Sequence, residues 1–294
     1  MRLEGIIIGT QWVLAPAKIN LSLDVLGKRA DGYHEVEMVM QTINLCDQLR
    51  IDSDYSGKIR LKCKHPFVPE GPENLVYKAA RLLQDYSPQR GAVIEVTKQI
   101  PVAAGLGGGS SDAAAALKAL NRLWELNLAQ DELAGLALKL GADVPFFLQG
   151  GTALARGLGE LLSPLPKPPG LWVVLYKPNL GVSTAEVYQG FRSQLIRQRP
   201  DTTGLVAALA SGNVQALAAA MENVLESVTF ARYPLLKRLK QKAFELGATA
   251  AMMSGSGPTL FALVSDYRRA MAIYNGLKYR VEFVYVTTFR EGTV

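Results

Sequence analysis

The hydrophobic pattern changes period along the chain, and each change marks an element. From Ile19 onward apolar and polar residues alternate, with Ile19, Leu21 and Leu23 set against Asn20, Ser22 and Asp24. A period of two is that of a half-buried strand, and it puts Lys18 and Asn20 on the face opposite the apolar set. Taken alone, such a polar face is explained by solvent as well as by chemistry. Residues 11–15 form a strand-like run that ends at Pro16, and residues 36–45 read as another strand. Residues 50–52 and 58–62 alternate around a turn at 53–57. A helical stripe through Tyr77, Ala80 and Leu83 follows Asn74, a side chain suited to capping. Leu117, Leu120 and Trp124 carry a helix over 113–126, and 131–140 reads as a further helix stopped by Gly141.

The second half is punctuated by Pro164, Pro166, Pro168, Pro169 and Gly170. A segment this rich in breakers is where a junction between two domains, 1–163 and 164–294, is expected. After it come a buried-type strand at 171–176 and a helix that opens at Ser183 or Thr184. Amphipathic helices are expected over 214–225 and 233–246. A glycine turn through Ser254, Gly255, Ser256, Gly257 and Pro258 leads into an apolar strand, followed by a helix at 267–277 and a last strand at 281–286. Strands and helices are thus mixed, with no internal repeat.

One stretch stands apart from this packing pattern. Pro101, Val102, Ala103, Ala104, Gly105, Leu106, Gly107, Gly108, Gly109, Ser110, Ser111 and Asp112 lie between a strand-like segment, 93–97, and the helix that follows. Glycines let backbone approach a ligand and take positive φ. A helix start offers unpaired N–H groups and a positive dipole end to an anion. The order is not that of a P-loop, because no Lys follows the glycines. Counted from Gly105, the last position of a dinucleotide fingerprint is Ser110. The Ser-Ser-Asp end suits a helix cap.

Composition narrows the class. The chain has 294 residues, 49% of them hydrophobic, enough for one large or two modest cores. No apolar run is long enough to span a bilayer, and the patch at 1–8 is too short for a signal sequence, so a cytoplasmic protein is expected. Cys46 and Cys63 lack metal-site spacing and read as buried thiols. The net charge of +6 suits either nucleic acid or an anionic small molecule. Basic residues are dispersed, and the clusters at 192–199 and 237–242 read as solvated helix faces. A basic RNA-binding protein therefore stays open on charge, but it leaves the glycine loop unexplained.

The loop resembles the phosphate-binding segment of the small-molecule kinases named for galactose, homoserine, mevalonate and phosphomevalonate. Its triple glycine with Ser-Ser-Asp looks most like the branch whose acceptor is a cytidine diphosphate sugar-alcohol of the non-mevalonate isoprenoid route. Three more stretches resemble that branch in order: Pro16-Ala17-Lys18-Ile19-Asn20-Leu21, Gly32-Tyr33-His34-Glu35, and Gly141-Ala142-Asp143-Val144-Pro145-Phe146-Phe147. The resemblance implies an α+β fold of two domains, an N-terminal two-layer domain and a C-terminal ferredoxin-like one, with the active site in the cleft between them. It implies ATP held at residues 101–111, Mg²⁺ with no identified ligand, and Lys18 and Asp143 as catalytic residues. It implies acceptor contacts from Asn20, Tyr33, His34 and, through a looser match, Tyr188. Small molecules would then be its partners, not nucleic acid or membrane, in a monomer or homodimer. A homoserine or mevalonate kinase is the near alternative, and Gly32-Tyr33-His34 argues against it.

Overall fold

A computed structural model describes residues 7–292, so most of the apolar start at 1–8 lies outside the described residues. The chain forms two compact units that interleave in sequence. The first holds residues 7–17, 45–102 and 107–149, and the second holds 18–44, 103–106 and 150–292. Two long strands, β1 (Gly9–Lys28) and β2 (His34–Asp54), each pass from one unit into the other.

In the first unit the distal part of β2 pairs antiparallel with β4 (Gly91–Thr97), and β3 (Ile59–Cys63) pairs parallel with β4. Four helices accompany these strands: α1 (Leu75–Gln84), α2 (Gly108–Leu123), α3 (Gln130–Leu140) and α4 (Val144–Gln149). Asn74 caps α1 as expected, its side chain accepting the Val76 amide at 2.8 Å. Val76, Ala79, Ala80 and Leu83 are buried along one stripe of α1. α2 buries Ala113, Ala114, Ala116, Leu117, Ala119 and Leu120, and its many alanines let a neighbouring helix come close. Cys63 is buried and Cys46 half-buried, and neither is part of a disulfide.

In the second unit the proximal part of β2 pairs antiparallel with β5 (Thr152–Gly157), which pairs with β6 (Leu161–Pro164). Beyond residue 170 the order is β7 (Trp172–Lys177), α5 (Thr184–Gly190), α6 (Thr202–Ser211), α7 (Val214–Ala220), α8 (Glu226–Arg232), α9 (Pro234–Glu245), β8 (Ala250–Met253), β9 (Leu260–Val264), α10 (Tyr267–Leu277) and β10 (Phe283–Thr288). The four strands form an antiparallel sheet in the order β10-β7-β9-β8. That is the β-α-β-β-α-β plan with the fourth strand beside the first, the ferredoxin-like arrangement. β8 and β9 are buried along their whole lengths, which explains their continuous apolar runs.

Several expectations need correction. Pro16 does not end a strand, because β1 runs through it. α2 begins at Gly108, five residues before the expected start, with Gly107 as its cap at φ 71° and no side-chain capping bond. Ser110, Ser111 and Asp112 therefore lie inside the helix. The helix expected over 214–225 stops at Ala220, and the chain crosses an irregular segment to α8. Residues 192–199 are not a helix face, since only Ser193–Leu195 forms a single 3₁₀ turn.

Candidate active site

The second unit gathers most of the residues singled out from sequence. On β1 the polar set Lys18, Asn20, Ser22 and Asp24 is buried, at 5%, 0%, 0% and 6% exposure. The solvent explanation for this face therefore fails. Lys18 Nζ donates to Asn20 Oδ1 at 2.8 Å, and Asn20 Nδ2 donates to Met38 Sδ at 3.2 Å. The amide of Lys18 donates to the carbonyl of Leu106 at 2.9 Å, which ties this strand to the glycine loop.

Within the loop positive φ falls on alternate residues, 51° at Ala103, 77° at Gly105 and 71° at Gly107. An Ala in the left-handed region is costly and marks a backbone held by its surroundings. Any side chain at Gly105 would force loop and turn apart, because a Cβ there would lie 2.3 Å from the carbonyl oxygen of Ser254. Ser254 Oγ in turn donates to the carbonyl of Gly105 at 2.9 Å. The glycine turn 254–258 is thus packed on the loop, a role its sequence alone does not reveal.

The rest of the loop belongs to the first unit, where it opens α2. The first amides of a helix have no intrahelical acceptor and face an approaching anion. Ser111 Oγ and Asp112 Oδ1 are buried without hydrogen-bond partners. Beneath the helix start, Lys98 Nζ bridges two buried carboxylates, Asp112 at 2.7 Å and Asp47 in a shorter contact. Asp47 also accepts the amides of Gln99 and Ile100 at 2.6 and 2.8 Å, which anchors the strand end before the loop. Burial, with Asp47 beside it, outweighs Lys98 and pushes the Asp112 carboxyl up to about 7. Lys98 and Asp47 were invisible in sequence, since 51 residues separate them.

In the second unit His34 and Tyr188 meet, their ring centroids 5.4 Å apart and tilted by 38°. They line an open cavity of about 330 Å³ with Val25, Lys28, Phe191 and Arg192. Tyr33 is 65% exposed, at the end of a turn in which Asp31 accepts its amide at 3.1 Å. Burial and the neighbouring Lys28 hold His34 below its ordinary value, so its imidazole is neutral at pH 7 and can both give and accept a hydrogen bond. The segment after α5 is pinned by Arg199, which donates to Asp24 at 2.6 Å and to Ser193 at 2.6 Å.

Asp143, in the first unit, sits half-buried in the short link between α3 and α4. The apolar run after it is the helix α4, with Pro145 at its second residue, where a missing N–H is tolerated. Phe146 and Phe147 are buried in that helix, their rings edge to face at 5.3 Å.

A 4-diphosphocytidyl-2-C-methyl-D-erythritol kinase of Geobacillus sp. (strain WCH70) is 51% identical to this chain over 267 residues, covering 90% of the chain and 92% of the relative. The chain belongs to the 4-diphosphocytidyl-2-C-methyl-D-erythritol kinase family. A kinase of the same name from Listeria monocytogenes serotype 4a (strain HCC23) is 50% identical, over 95% of the chain and 97% of the relative. GHMP kinases N terminal domain matches residues 74–151, and GHMP kinases C terminal matches residues 205–282. A crystal structure of a 4-(cytidine 5'-diphospho)-2C-methyl-D-erythritol kinase superposes with a TM-score of 0.82 at 36% identity, covering 97% of this chain and all of that one. A homoserine kinase from Cytophaga hutchinsonii, at 22% identity and a TM-score of 0.76 over 99% of this chain and 98% of that one, shares the fold. As a member of this kinase family the chain is an ATP-using phosphotransferase with the α+β, two-domain fold. Among the described residues no helix is long and apolar enough to cross a membrane.

Proposed function

We propose that the chain transfers the γ-phosphoryl group of ATP to the 2-hydroxyl of 4-diphosphocytidyl-2-C-methyl-D-erythritol, giving the 2-phosphate and ADP. The observation that carries this reading is the loop, with alternating positive φ at Ala103, Gly105 and Gly107 running into a helix start that no side chain caps. Residues 101–111 bind the ATP phosphates through backbone amides, with Ser110 and Ser111 adding hydroxyls. Lys18 and Asp143 are the catalytic residues. Asp143 accepts the proton of the attacking alcohol, and Lys18 offsets charge on the transferring group. An alcohol is a poor nucleophile until that proton has somewhere to go, and the loose transition state limits how strong the base must be.

The acceptor's cytosine is held by Tyr33, His34 and Tyr188, the methylerythritol by Asn20. A neutral His34 beside the Tyr188 ring supports this, because a base needs a hydrogen-bonding edge and a stacking face. Mg²⁺ accompanies the nucleotide. Among the described residues no cluster of three or more His, Cys, Asp or Glu side chains could hold a metal ion. Such a hard, strongly hydrated cation would keep several waters and bind through one or two carboxylates together with the phosphates. When bound it would offset negative charge on the transferring phosphoryl group.

The reading includes a cytoplasmic enzyme and a division of the sequence near residue 163. The latter is supported by family matches at 74–151 and 205–282 that fall on either side. A coupled assay of ADP release tests the function, with the cytidyl acceptor, homoserine and mevalonate as parallel substrates. Turnover confined to the cytidyl acceptor and abolished by EDTA is expected. Faster turnover of homoserine or mevalonate would assign the chain to another branch.

A further inference from the structure

Asn223 lies in the irregular segment between α7 and α8, far in sequence from the loop and from Lys18. Its side chain is 1% exposed and fully used. Nδ2 donates to two carbonyls, those of Met253 and Gly255, both at 2.8 Å, and Oδ1 accepts the amide of Leu225 at 3.0 Å. The backbone on either side is bound to β1. The amide of Leu23 donates to Glu222 at 2.9 Å, and the amide of Val224 donates to Leu23 at 3.0 Å. Three residues on, buried Glu226 accepts the amide of Met253 at 2.8 Å and a hydrogen bond from Lys240 at 2.6 Å. The turn held in this way is the one whose Ser254 bonds and abuts Gly105. The next loop carbonyl, that of Leu106, is held by Lys18 on β1. Two adjacent loop carbonyls are therefore fixed, one by the turn and one by the strand, and Asn223 joins turn to strand.

We propose that Asn223 is a positioning residue of the phosphate loop: it locks the Met253–Gly255 turn to β1 and so sets Gly105 relative to Lys18. The inference rests on the reading of the loop as the ATP site and of Lys18 as a catalytic residue. Asn suits the task because one planar amide supplies two donors and an acceptor at once. Asp keeps the shape and the bond from Leu225 but turns an acceptor toward two carbonyls. Ala takes a donor away from both carbonyls.

The test uses the full chain with Asn223→Asp, Asn223→Ala, Ser254→Ala and the double variant Asn223→Ala/Ser254→Ala. Binding of a non-hydrolysable ATP analogue is measured by titration calorimetry, kcat and KM for both substrates by ADP release, and stability by thermal melting. Asn223→Asp and Asn223→Ala are expected to lose about 10- to 100-fold in kcat/KM for ATP, the scale of a loop displaced by an ångström or less. KM for the acceptor should stay within about twofold, because the His34–Tyr188 pair is untouched. The double variant should lose little more than Asn223→Ala alone, since both act through one turn. A lower melting temperature with wild-type analogue affinity and kcat would make Asn223 a fold brace and overturn the proposal. Additive losses would overturn it too. If Asn223→Ala does not fold, Ser254→Ala still decides, because unchanged analogue affinity there breaks the link to Gly105. Wild-type protein that fails to bind the analogue defeats the reading of the loop itself, whereas equal binding by wild type and Asn223→Asp defeats only this inference.

Discussion

Gly105→Ala is the sharpest probe of the loop, because the structure fixes both what the methyl group meets and what it cannot move. Gly105 has φ 77°, and an added Cβ would stand 2.3 Å from the Ser254 carbonyl oxygen and 3.2 Å from that of Gly257. Ordinary contact begins at 3.4 Å, so loop and turn must separate by roughly 1 Å. The turn cannot yield alone. The amide of Ser254 is bonded to Thr259 at 2.9 Å and that of Gly257 to Ser254 at 3.0 Å, while Asn223 holds the carbonyls on either side. The strain therefore falls on the loop. Left-handed backbone costs a non-glycine residue about 1–2 kcal/mol, and loss of the Ser254–Gly105 hydrogen bond adds about 1 kcal/mol. Both are small against a typical stability of about 5–15 kcal/mol, so the variant should fold.

The kinetic penalty should exceed the thermodynamic one. A misplacement of about 1 Å in a group that positions substrate costs on the order of 100-fold. We expect kcat/KM for ATP to fall by about that factor, with KM for the acceptor little changed. Gly212→Ala is the control. Gly212 caps α6 at φ 66° with open space around its missing Cβ, so it carries the left-handed cost without a clash. Steady-state ADP release and thermal melts on both variants separate the two effects. If Gly105→Ala lost stability as Gly212→Ala does yet kept its kcat/KM for ATP, the loop would not be where phosphate binds.

Three further outcomes follow from the site. Asp143→Asn should cut turnover by about 100- to 10,000-fold with ATP binding nearly intact, the usual worth of a positioned base, and a folded variant that kept most of its turnover would send the search for the base elsewhere. Tyr33→Ala should raise KM for the acceptor far more than for ATP, and equal losses in a two-substrate kinetic series would place the cytosine elsewhere. Asp112, raised from 3.8 to about 7 by burial, binds more protons folded than unfolded between those values, so its contribution to stability falls as pH rises through that window and levels off above it. Urea unfolding from pH 4 to pH 8 should show wild type losing stability relative to Asp112→Asn as pH rises, and a difference independent of pH would mean that Asp112 stays ionised throughout.

What could be read from the chain was local. The loop residues, the cap at Asn74, the stop at Gly141 and the two glycine turns declare themselves through steric rules acting over a few residues. The ferredoxin-like half was expected from the family resemblance alone; the local pattern showed only mixed strands and helices, and of β8 and β9 only the second reads as a strand. What could not be read are polar contacts closed by the fold. Nothing near Asn223 tells that its amide meets Met253 and Gly255 thirty residues later. Nothing near Lys98 tells of Asp47. The 214–225 helix was overdrawn because helical spacing persists past Ala220, while the backbone there leaves the helix to bond Leu23 instead. The Ser-Ser-Asp cap failed because Gly107, free to take a positive φ, starts the helix earlier and needs no side chain to do so.

The polar face of β1 shows how far pattern can mislead about exposure. A period of two says that Ile19, Leu21 and Leu23 share a face; it does not say that the other face is wet. Here both faces are buried, so each polar side chain must be matched or its burial is costly. The matches divide along the strand. At the far end Ser22 accepts the amide of Val39 at 3.2 Å, and Asp24 is held by Arg199 and by the amide of Val25, partners that hold neighbouring chain in place. At the near end Lys18 donates to Asn20, and Asn20 gives one of its two amide hydrogens to a thioether, a weak acceptor. For stability alone, apolar side chains of similar volume would serve as well or better in such a place. An ammonium and an amide kept in this buried place instead of apolar side chains support the proposal that this end of the strand meets a bound molecule. Which group each would touch, the phosphoryl group for Lys18 and the acceptor for Asn20, comes from the likeness to other kinases.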